Sequence, residues 1–543
     1  MKNRIFKRAL ILGIGLAFVT QSCNDLDEEL FSDLPASEFY KTDEQFIAAL
    51  GSAYSSFAGV GNHFGLWTLN ELASDELVIT TKGGDWYDGG VLIQMHQHKY
   101  TIDNGIVNGA WGWIFGGINT ANRLIYTFEQ VGTPQADAFI AELRAIRALW
   151  YYWLIDAYGN VPLVTDFLDA EPPATTPRGQ IYDFIESEIT AILDKLPTTV
   201  DQSTYGRMTK WTALAIRSKL YLNAQVFKGV AAYDKAAADA KAIIDGAKYN
   251  LEPVYADNFA VSNSGSKENI LVYPYDKVFA GGFNWPMMTL HYASQGVYNF
   301  TAQPWNGYSA VEEFYNSYID PAKNPGPQGP VWKGLAVDAN NDRIADDMGT
   351  LDSRISNFVV GPQYKADGTK AVDPGFEGPT AKQPDPDGTN LNFTPRINQI
   401  WPDAWRQGGA RIGKYEYERG GTENMSNDFV IFRYSDILLT RAEALWRINP
   451  GDAEALSLVN QVRARADVDP YGALTADNLL AERGREMFAE MTRRQDLIRF
   501  GKFNDAWWEK AASTTTYNLF PIPKAQRDVN PKLQQNPGYP GSN

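Results

Sequence analysis

The sequence predicts a mainly α fold, in which helical hairpins form the scaffold and one long irregular segment interrupts them. Apolar residues recur at helical spacing on both sides of a central region that is rich in Gly, Pro, Asn and Asp. The 543 residues are 44% hydrophobic and 21% charged, which is an ordinary globular composition. A chain of this length and composition can bury a substantial core.

Residues 1–22 have the pattern of a secretory signal peptide, with basic residues ahead of an apolar run from Ala9 to Val19. That run is too short to span a bilayer comfortably. Cys23 follows directly and is the only cysteine of the chain. A lone exported cysteine cannot form an internal disulfide, so we expect Cys23 to carry a lipid that tethers the mature protein outside the cytoplasm. A free or buried thiol is the alternative.

The N-terminal part, over 23–249, is predicted to be largely helical. Thr42 and Gln45 form a capping box ahead of the first apolar stripe, whereas residues 58–110 lack periodicity and are predicted to be loop-rich. Helical stripes with short connections then return, as in stacked hairpins of the tetratricopeptide type. These stripes run over Phe139–Ala157, Ile181–Ile192, Leu214–Phe227 and Ala236–Ile244.

The chain changes character over 250–430, where turn-forming residues cluster and amphipathic stripes are few. We expect an irregular insertion of loops and short strands there. A C-terminal helical part follows over 431–543. Its stripes run over Tyr434–Trp446, Ala455–Ala466 and Leu479–Phe500.

The charge balance excludes nucleic acids as main partners. The chain has 49 Lys and Arg against 65 Asp and Glu, a formal charge of -16, and no basic stripe with interleaved aromatics. It is also rich in rings, with 15 Trp, 28 Tyr and 27 Phe, more than a core usually needs. Sugar rings stack on flat apolar surfaces of this kind.

The first candidate ligand-binding segment lies in the loop-rich region, between flexible glycines. It places two aromatic side chains, Trp86 and Tyr87, between two carboxylates, Asp85 and Asp88. Sugars are recognised by stacking on rings together with hydrogen bonds from planar polar groups, and this segment offers both. A buried core tryptophan is the alternative.

The second candidate segment lies in the insertion. Its aromatics follow neither a helical nor a strand period, so a core stripe explains them poorly. The candidate residues there are Trp285, Tyr292, Trp305, Asn306 and Tyr308.

One acidic run in the insertion has part of the spacing of a calcium-binding loop. Arg343 and Gly349, however, stand where such a loop needs a tight-turn glycine and a bidentate glutamate. A solvated acidic turn is the preferred interpretation and a calcium site the alternative. The oxygen ligands would come from Asp338, Asn340, Asp342 and Asp346.

Signatures of catalysis are absent from the sequence, which has no nucleophile elbow, zinc-protease signature, phosphate loop or dinucleotide fingerprint. Asp85 and Asp88 are a carboxylate pair that could flank a glycosidic bond, but among 65 carboxylates such pairs arise by chance. We therefore expect a non-catalytic protein without a cofactor, calcium excepted.

Six short motifs occur in order along the chain, at Ala141–Ala148, Tyr158–Val164, Arg433–Ala444, Asn460–Ala466, Glu490–Gly501 and Pro521–Tyr539. Together they resemble the SusD/RagB family of outer-membrane nutrient-binding lipoproteins, from Cys23 almost to the C-terminus. The resemblance implies a tetratricopeptide-like fold with a variable insertion. We expect the Arg and Asp residues of the motifs to cap and bridge helices, because buried charges persist only when paired.

The resemblance also implies a function. Such proteins are lipid-anchored at the cell surface, capture oligosaccharides and deliver them to a TonB-dependent outer-membrane transporter. The lack of basic clusters favours a neutral glucan, laminarin-like or starch-like. The alternatives are a peptide ligand, as in the RagB branch of the family, and a secreted glycosidase on a helical scaffold.

Overall fold

The computed structural model describes residues 36–319, 352–373 and 388–542. Helices dominate these residues, and the predicted mainly α fold is confirmed. In chain order the α-helices are α1 (Ala36–Phe39), α2 (Asp43–Ser55), α3 (Leu66–Leu72), α4 (Val91–His96), α5 (Gly105–Glu129), α6 (Pro134–Tyr158), α7 (Arg178–Ile192), α8 (Lys210–Leu222), α9 (Ala224–Lys228), α10 (Tyr233–Asp245), α11 (Trp285–Thr289), α12 (Ser294–Tyr298), α13 (Glu312–Asn316), α14 (Tyr434–Ile448), α15 (Ala453–Arg465), α16 (Ala476–Met487), α17 (Arg493–Arg499) and α18 (Lys524–Val529).

The long helices α5 and α6 form a hairpin at the centre of the scaffold. The Asn104 side chain caps α5 by accepting from the Ile106 backbone N–H at 3.0 Å, and Pro134 starts α6 where its missing N–H costs nothing. The two helices approach closely because Gly117 has no side chain. A Cβ atom there would lie 2.2 Å from the indole of Trp150, which is fully buried.

The apolar stripes of the helical parts lie in helices, with two interruptions. The stripe Leu479–Phe500 is divided between α16 and α17 by the turn over 488–492. The stripe Leu214–Phe227 is divided between α8 and α9 at Asn223. The side-chain amide of Asn223 donates to the Lys219 backbone oxygen at 2.9 Å, inside the turn that ends α8. A polar side chain that bonds to the backbone in this way competes with continuation of the helix.

The strands are short and pair into antiparallel two-stranded ladders. The pair that matters for the site is β1 with β5, in which Leu77 lies opposite Ala310 and Ile79 opposite Tyr308. It joins the loop-rich region to the insertion. The strands are β1 (Leu77–Ile79), β2 (Val161–Pro162), β3 (Thr175–Thr176), β4 (Asn269–Tyr273), β5 (Tyr308–Ala310), β6 (Phe358–Val359), β7 (Gly361–Pro362), β8 (Asn392–Phe393), β9 (Arg411–Ile412) and β10 (Phe429–Arg433).

Buried charges of the motifs are paired, as expected. Arg433 is fully buried, and its guanidinium contacts Glu268 at 2.7 Å, Glu486 at 2.5 Å and Glu490 at 2.7 Å. A buried guanidinium is stable only with such partners. These contacts tie β4, β10 and α16 together.

Two buried carboxyl groups, those of Glu71 and Glu76, hold the turn that follows α16. Glu71 accepts from the Met491 backbone N–H at 2.7 Å, and Glu76 accepts from the Ala489 N–H at 2.9 Å. Burial raises the pKa of Glu71 to about 7 and raises the pKa of Glu76 well above its ordinary value. Ala489 and Met491 both have positive φ angles, so the two carboxyl groups hold a turn whose backbone is strained.

Within the described residues, no helix combines the length and the apolar character that a membrane crossing requires.

Candidate functional site

The two aromatic segments singled out in the sequence meet in the structure. The indole N–H of Trp86 donates to the backbone oxygen of Trp305 at 2.6 Å, and the Trp86 ring meets the Tyr308 ring edge to face at 5.9 Å. Gly307 allows this approach, because a Cβ atom there would lie 2.6 Å from the Trp86 ring. Segments more than 200 residues apart in sequence therefore form one surface.

The loop over 83–90 is fixed by its backbone conformation and by the segment 400–404. Trp86 and Asp88 have φ angles of 61° and 42°, values that residues other than glycine rarely adopt. The Gly83 N–H donates to the Pro402 oxygen at 3.2 Å. Strained backbone of this kind occurs at ligand-binding loops, where the surrounding structure maintains it.

Two exposed rings, Tyr87 and Trp401, form the outer face of the site, and we call this pair the aromatic platform. Their side chains are 45% and 52% exposed. The ring centroids are 6.4 Å apart and the ring planes are inclined by 38°. Exposed rings held side by side can stack against flat apolar faces of a ligand.

Sequence reasoning missed Trp401. It lies in the irregular insertion directly before Pro402, and a single aromatic residue there has no periodic partner that would single it out. Its position was the available indication, because Trp401 lies in the same Pro-rich and Asp-rich insertion as the second candidate segment.

Polar groups flank the platform. The Tyr292 hydroxyl donates to the Asp85 carboxylate, and burial together with this carboxylate raises the pKa of Tyr292. The Arg406 guanidinium lies 5.0 Å from the centre of the Tyr292 ring and bonds to both oxygens of Asp373, at 2.8 and 2.9 Å. Asp88, in the same loop as Tyr87, is exposed. These groups can accept hydrogen bonds from ligand hydroxyls and donate hydrogen bonds to them.

Three residues predicted to bind ligand are buried instead, and for them the prediction is wrong. Trp285 is fully buried, packs at 4.7 Å against Trp67 and donates to the Gly61 oxygen at 3.0 Å. Asn306 and Tyr308 are also fully buried. The five-residue helix α11 and the three-residue strand β5 are too short to show a period, so their inward faces could not be recognised in the sequence.

The other predicted residues stay at or near the surface. Asp85, Tyr87 and Asp88 are exposed, and a further set is half-buried. This half-buried set consists of Trp86, Tyr292 and Trp305. The site that the structure supports is therefore the aromatic platform with these neighbours.

Two sets of predicted residues lie outside the described part of the chain. They are the lipidation site Cys23 and the calcium candidates Asp338, Asn340, Asp342 and Asp346. In the residues that the structure does describe, no group of three His, Cys, Asp or Glu side chains is arranged to hold a metal ion.

Two family models match the chain. The model of the SusD family matches residues 267–518. A second model, described as starch-binding associating with outer membrane, matches residues 58–222.

Relatives align over the whole chain. The starch-binding protein SusD of Bacteroides thetaiotaomicron is 28% identical over 99% of this chain and 100% of that protein. The SusD-like protein P2 of Formosa agariphila is 24% identical over 98% of this chain and 100% of that protein.

Solved structures share the fold. Surface glycan-binding protein A from Bacteroides thetaiotaomicron in complex with laminarihexaose has a TM-score of 0.69 and 20% identity, covering 91% of this chain and 100% of that one. A laminarin-binding SusD-like protein has a TM-score of 0.68 and 20% identity, covering 92% of this chain and 100% of that one. The order of the six motifs, the two family models and these full-length matches support one conclusion: the chain is a SusD-like family member.

Proposed function

We propose that the protein is a non-catalytic, lipid-anchored surface protein that binds oligosaccharides of a neutral glucan and delivers them to a TonB-dependent outer-membrane transporter. The observation that carries this proposal is the aromatic platform of Tyr87 and Trp401, two rings about half exposed beside exposed carboxylates. The names of the relatives, which describe binding of starch, laminarin or other glycans, support the same class of ligand.

The inclination of the two rings favours a curved glucan. Sugar units stacked on planes that differ by 38° cannot belong to a straight, flat chain. Laminarin-like and starch-like glucans bend from one unit to the next, whereas cellulose-like chains are straight. The platform therefore fits the first two better.

The charges around the platform favour a neutral ligand. Asp85 and Asp88 are exposed carboxylates, and the nearby guanidinium of Arg406 is already paired with Asp373. Carboxylates accept hydrogen bonds from sugar hydroxyls and repel anionic polysaccharides. We include the half-buried Trp86, Tyr292 and Trp305 as the inner edge of the same site.

We further propose that lipidated Cys23 holds the protein on the outer membrane. The description of one matching family model, which names association with the outer membrane, supports that location. The calcium site at Asp338, Asn340, Asp342 and Asp346 stays a prediction. It is tested by calcium titration of the wild type and of Asp342→Asn, with calcium-dependent heat expected only if the site exists.

The function is tested by binding the soluble Cys23→Ser protein to an array that carries neutral glucans, anionic polysaccharides and peptides. Binding to laminarin or starch fragments is expected. Binding to peptides but to no glycan would contradict the proposal and favour the RagB-like alternative. The appearance of new reducing ends on prolonged incubation, abolished by Asp85→Asn, would contradict the non-catalytic role and identify a glycosidase.

A further inference from the structure

A second cavity, of about 280 Å³, lies beside strand β4 and shares no residue with the aromatic platform or its flank. Its volume is near the lower limit of small-molecule sites, about 300 to 1,000 Å³. The walls include Tyr205, Tyr249, Ile270 and Val272, which supply apolar surface in a lining that is otherwise largely polar. It is therefore large enough for one small ligand.

Asn269, the first residue of β4, places an unpaired amide in this lining. Its side chain is only 8% exposed, and neither its nitrogen nor its oxygen has a hydrogen-bond partner among the described residues. Buried polar groups are normally hydrogen-bonded, because burying them unpaired costs free energy. An amide both donates and accepts, so the complementary ligand group is one that does the same, such as a pair of hydroxyls.

The rim of the cavity carries two lysines. Lys248 and Lys267 are both exposed, and neither ammonium group lies within ion-pair distance of a carboxylate in the described parts of the chain. The carboxylate of Asp201 also lines the cavity, but its Oδ1 already accepts from the backbone and the hydroxyl of Ser203, at 2.8 and 2.6 Å. Asp201 keeps its negative charge, so the cavity carries two ammonium groups against one carboxylate, and this local excess of positive charge attracts anions.

We propose that this cavity is a second binding site, separate from the platform, for a sugar acid of monosaccharide size. The hydroxyls of the ligand pair with the amide of Asn269, and its carboxylate meets Lys248 and Lys267. The ring of the ligand packs against the apolar wall.

The test is calorimetric titration of the soluble protein with D-glucuronate and with D-glucose, which has the same ring without the carboxylate. Glucuronate is expected to bind saturably and more weakly as salt increases, and glucose at least about tenfold more weakly. The double variant Lys248→Glu/Lys267→Glu should lower the affinity for glucuronate by about tenfold or more. The matched control Lys99→Glu/Lys502→Glu changes the net charge equally at exposed positions elsewhere and should leave that affinity unchanged.

Three results would overturn the proposal: no saturable binding of glucuronate, equal affinity for glucose, or an equal loss in both double variants. Asn269→Leu removes the unpaired amide and should also weaken glucuronate binding. If that variant fails to fold, the two lysine double variants decide the question. If glucuronate does not bind, the cavity is only a hydration site.

Discussion

The indole N–H of Trp86 donates to the backbone oxygen of Trp305 at 2.6 Å, and this bond fastens the loop that carries Tyr87 to the insertion. The Trp86 ring can take this position only because residue 307 is glycine and has no Cβ atom to collide with it. The position of the aromatic platform therefore depends on a residue that does not belong to it.

Gly307→Ala should displace the Trp86 ring, because the new Cβ atom would lie 2.6 Å from that ring and 2.7 Å from the Met288 oxygen. We expect a loss of stability of about 1 to 3 kcal/mol, the usual cost of overpacking, together with weaker glucan binding. Urea unfolding and calorimetry measure the two effects. The control is Gly84→Ala in the same loop, where a Cβ atom would have no neighbour within 4 Å. Equal effects of both substitutions would contradict the role assigned to Gly307.

Trp401→Ala should reduce the affinity for a laminarin or starch hexasaccharide by about 1 to 3 kcal/mol, as expected for a central aromatic contact. The melting temperature should not change, since the side chain is 52% exposed. Isothermal titration calorimetry measures the affinity. Phe279→Ala is the control, because this ring is 91% exposed away from the platform. Unchanged affinity in the Trp401 variant would remove this residue from the site.

The contribution of Glu71 to the stability of the protein should be lost as the pH rises through about 7. Burial raises the pKa of Glu71 to about 7 from the ordinary value of 4.5, so the folded state binds its proton more tightly than the unfolded state does. This contribution is complete below pH 4.5 and is lost as the pH rises through the folded-state pKa.

The loss of this contribution should be on the order of 2 kcal/mol, and the difference in urea unfolding between the wild type and Glu71→Gln, from pH 5 to pH 8, measures it. Glu71→Gln keeps the shape of the side chain without its titration and should remove this part of the pH dependence, while Glu76 continues to titrate. Glu129→Gln, at an exposed position, should leave the profile as in the wild type. A Glu71→Gln profile identical to that of the wild type would show that another group is responsible.

Cys23→Ser should release the protein from the membrane fraction into the periplasm or the medium, because the substitution removes the thiol that would carry the lipid. Fractionation followed by immunoblotting makes the measurement, and globomycin treatment of the wild type provides an independent comparison. Retention of the variant after a high-salt wash would count against a lipid anchor.

The sequence predicts the helical scaffold well wherever one face of a helix is buried for several turns, as in α7 and α10. The apolar pattern does not predict helix α5, because glycines interrupt it. In the structure, the close approach of Gly117 to Trp150 compensates for the low helix propensity of these glycines. Tertiary packing of this kind cannot be read from local sequence.

The candidate site was only partly predictable. The loop with Trp86 and Tyr87 was recognisable because its glycines and carboxylates suit a surface position. Trp285 resembled it in sequence and yet lies in the core, since burial depends on neighbours such as Trp67 that are distant in the chain. Trp401 reaches Tyr87 only through the pairing of residues 81–83 with 400–404, a contact without any local signal.

The pairing of β1 with β5 and of Tyr87 with Trp401 has a consequence for shortened copies of the chain. Residues 77–79 have their strand partners at 308–310, and Tyr87 has its companion ring at position 401. A copy that ends before position 401 therefore exposes a solitary ring in place of the aromatic platform.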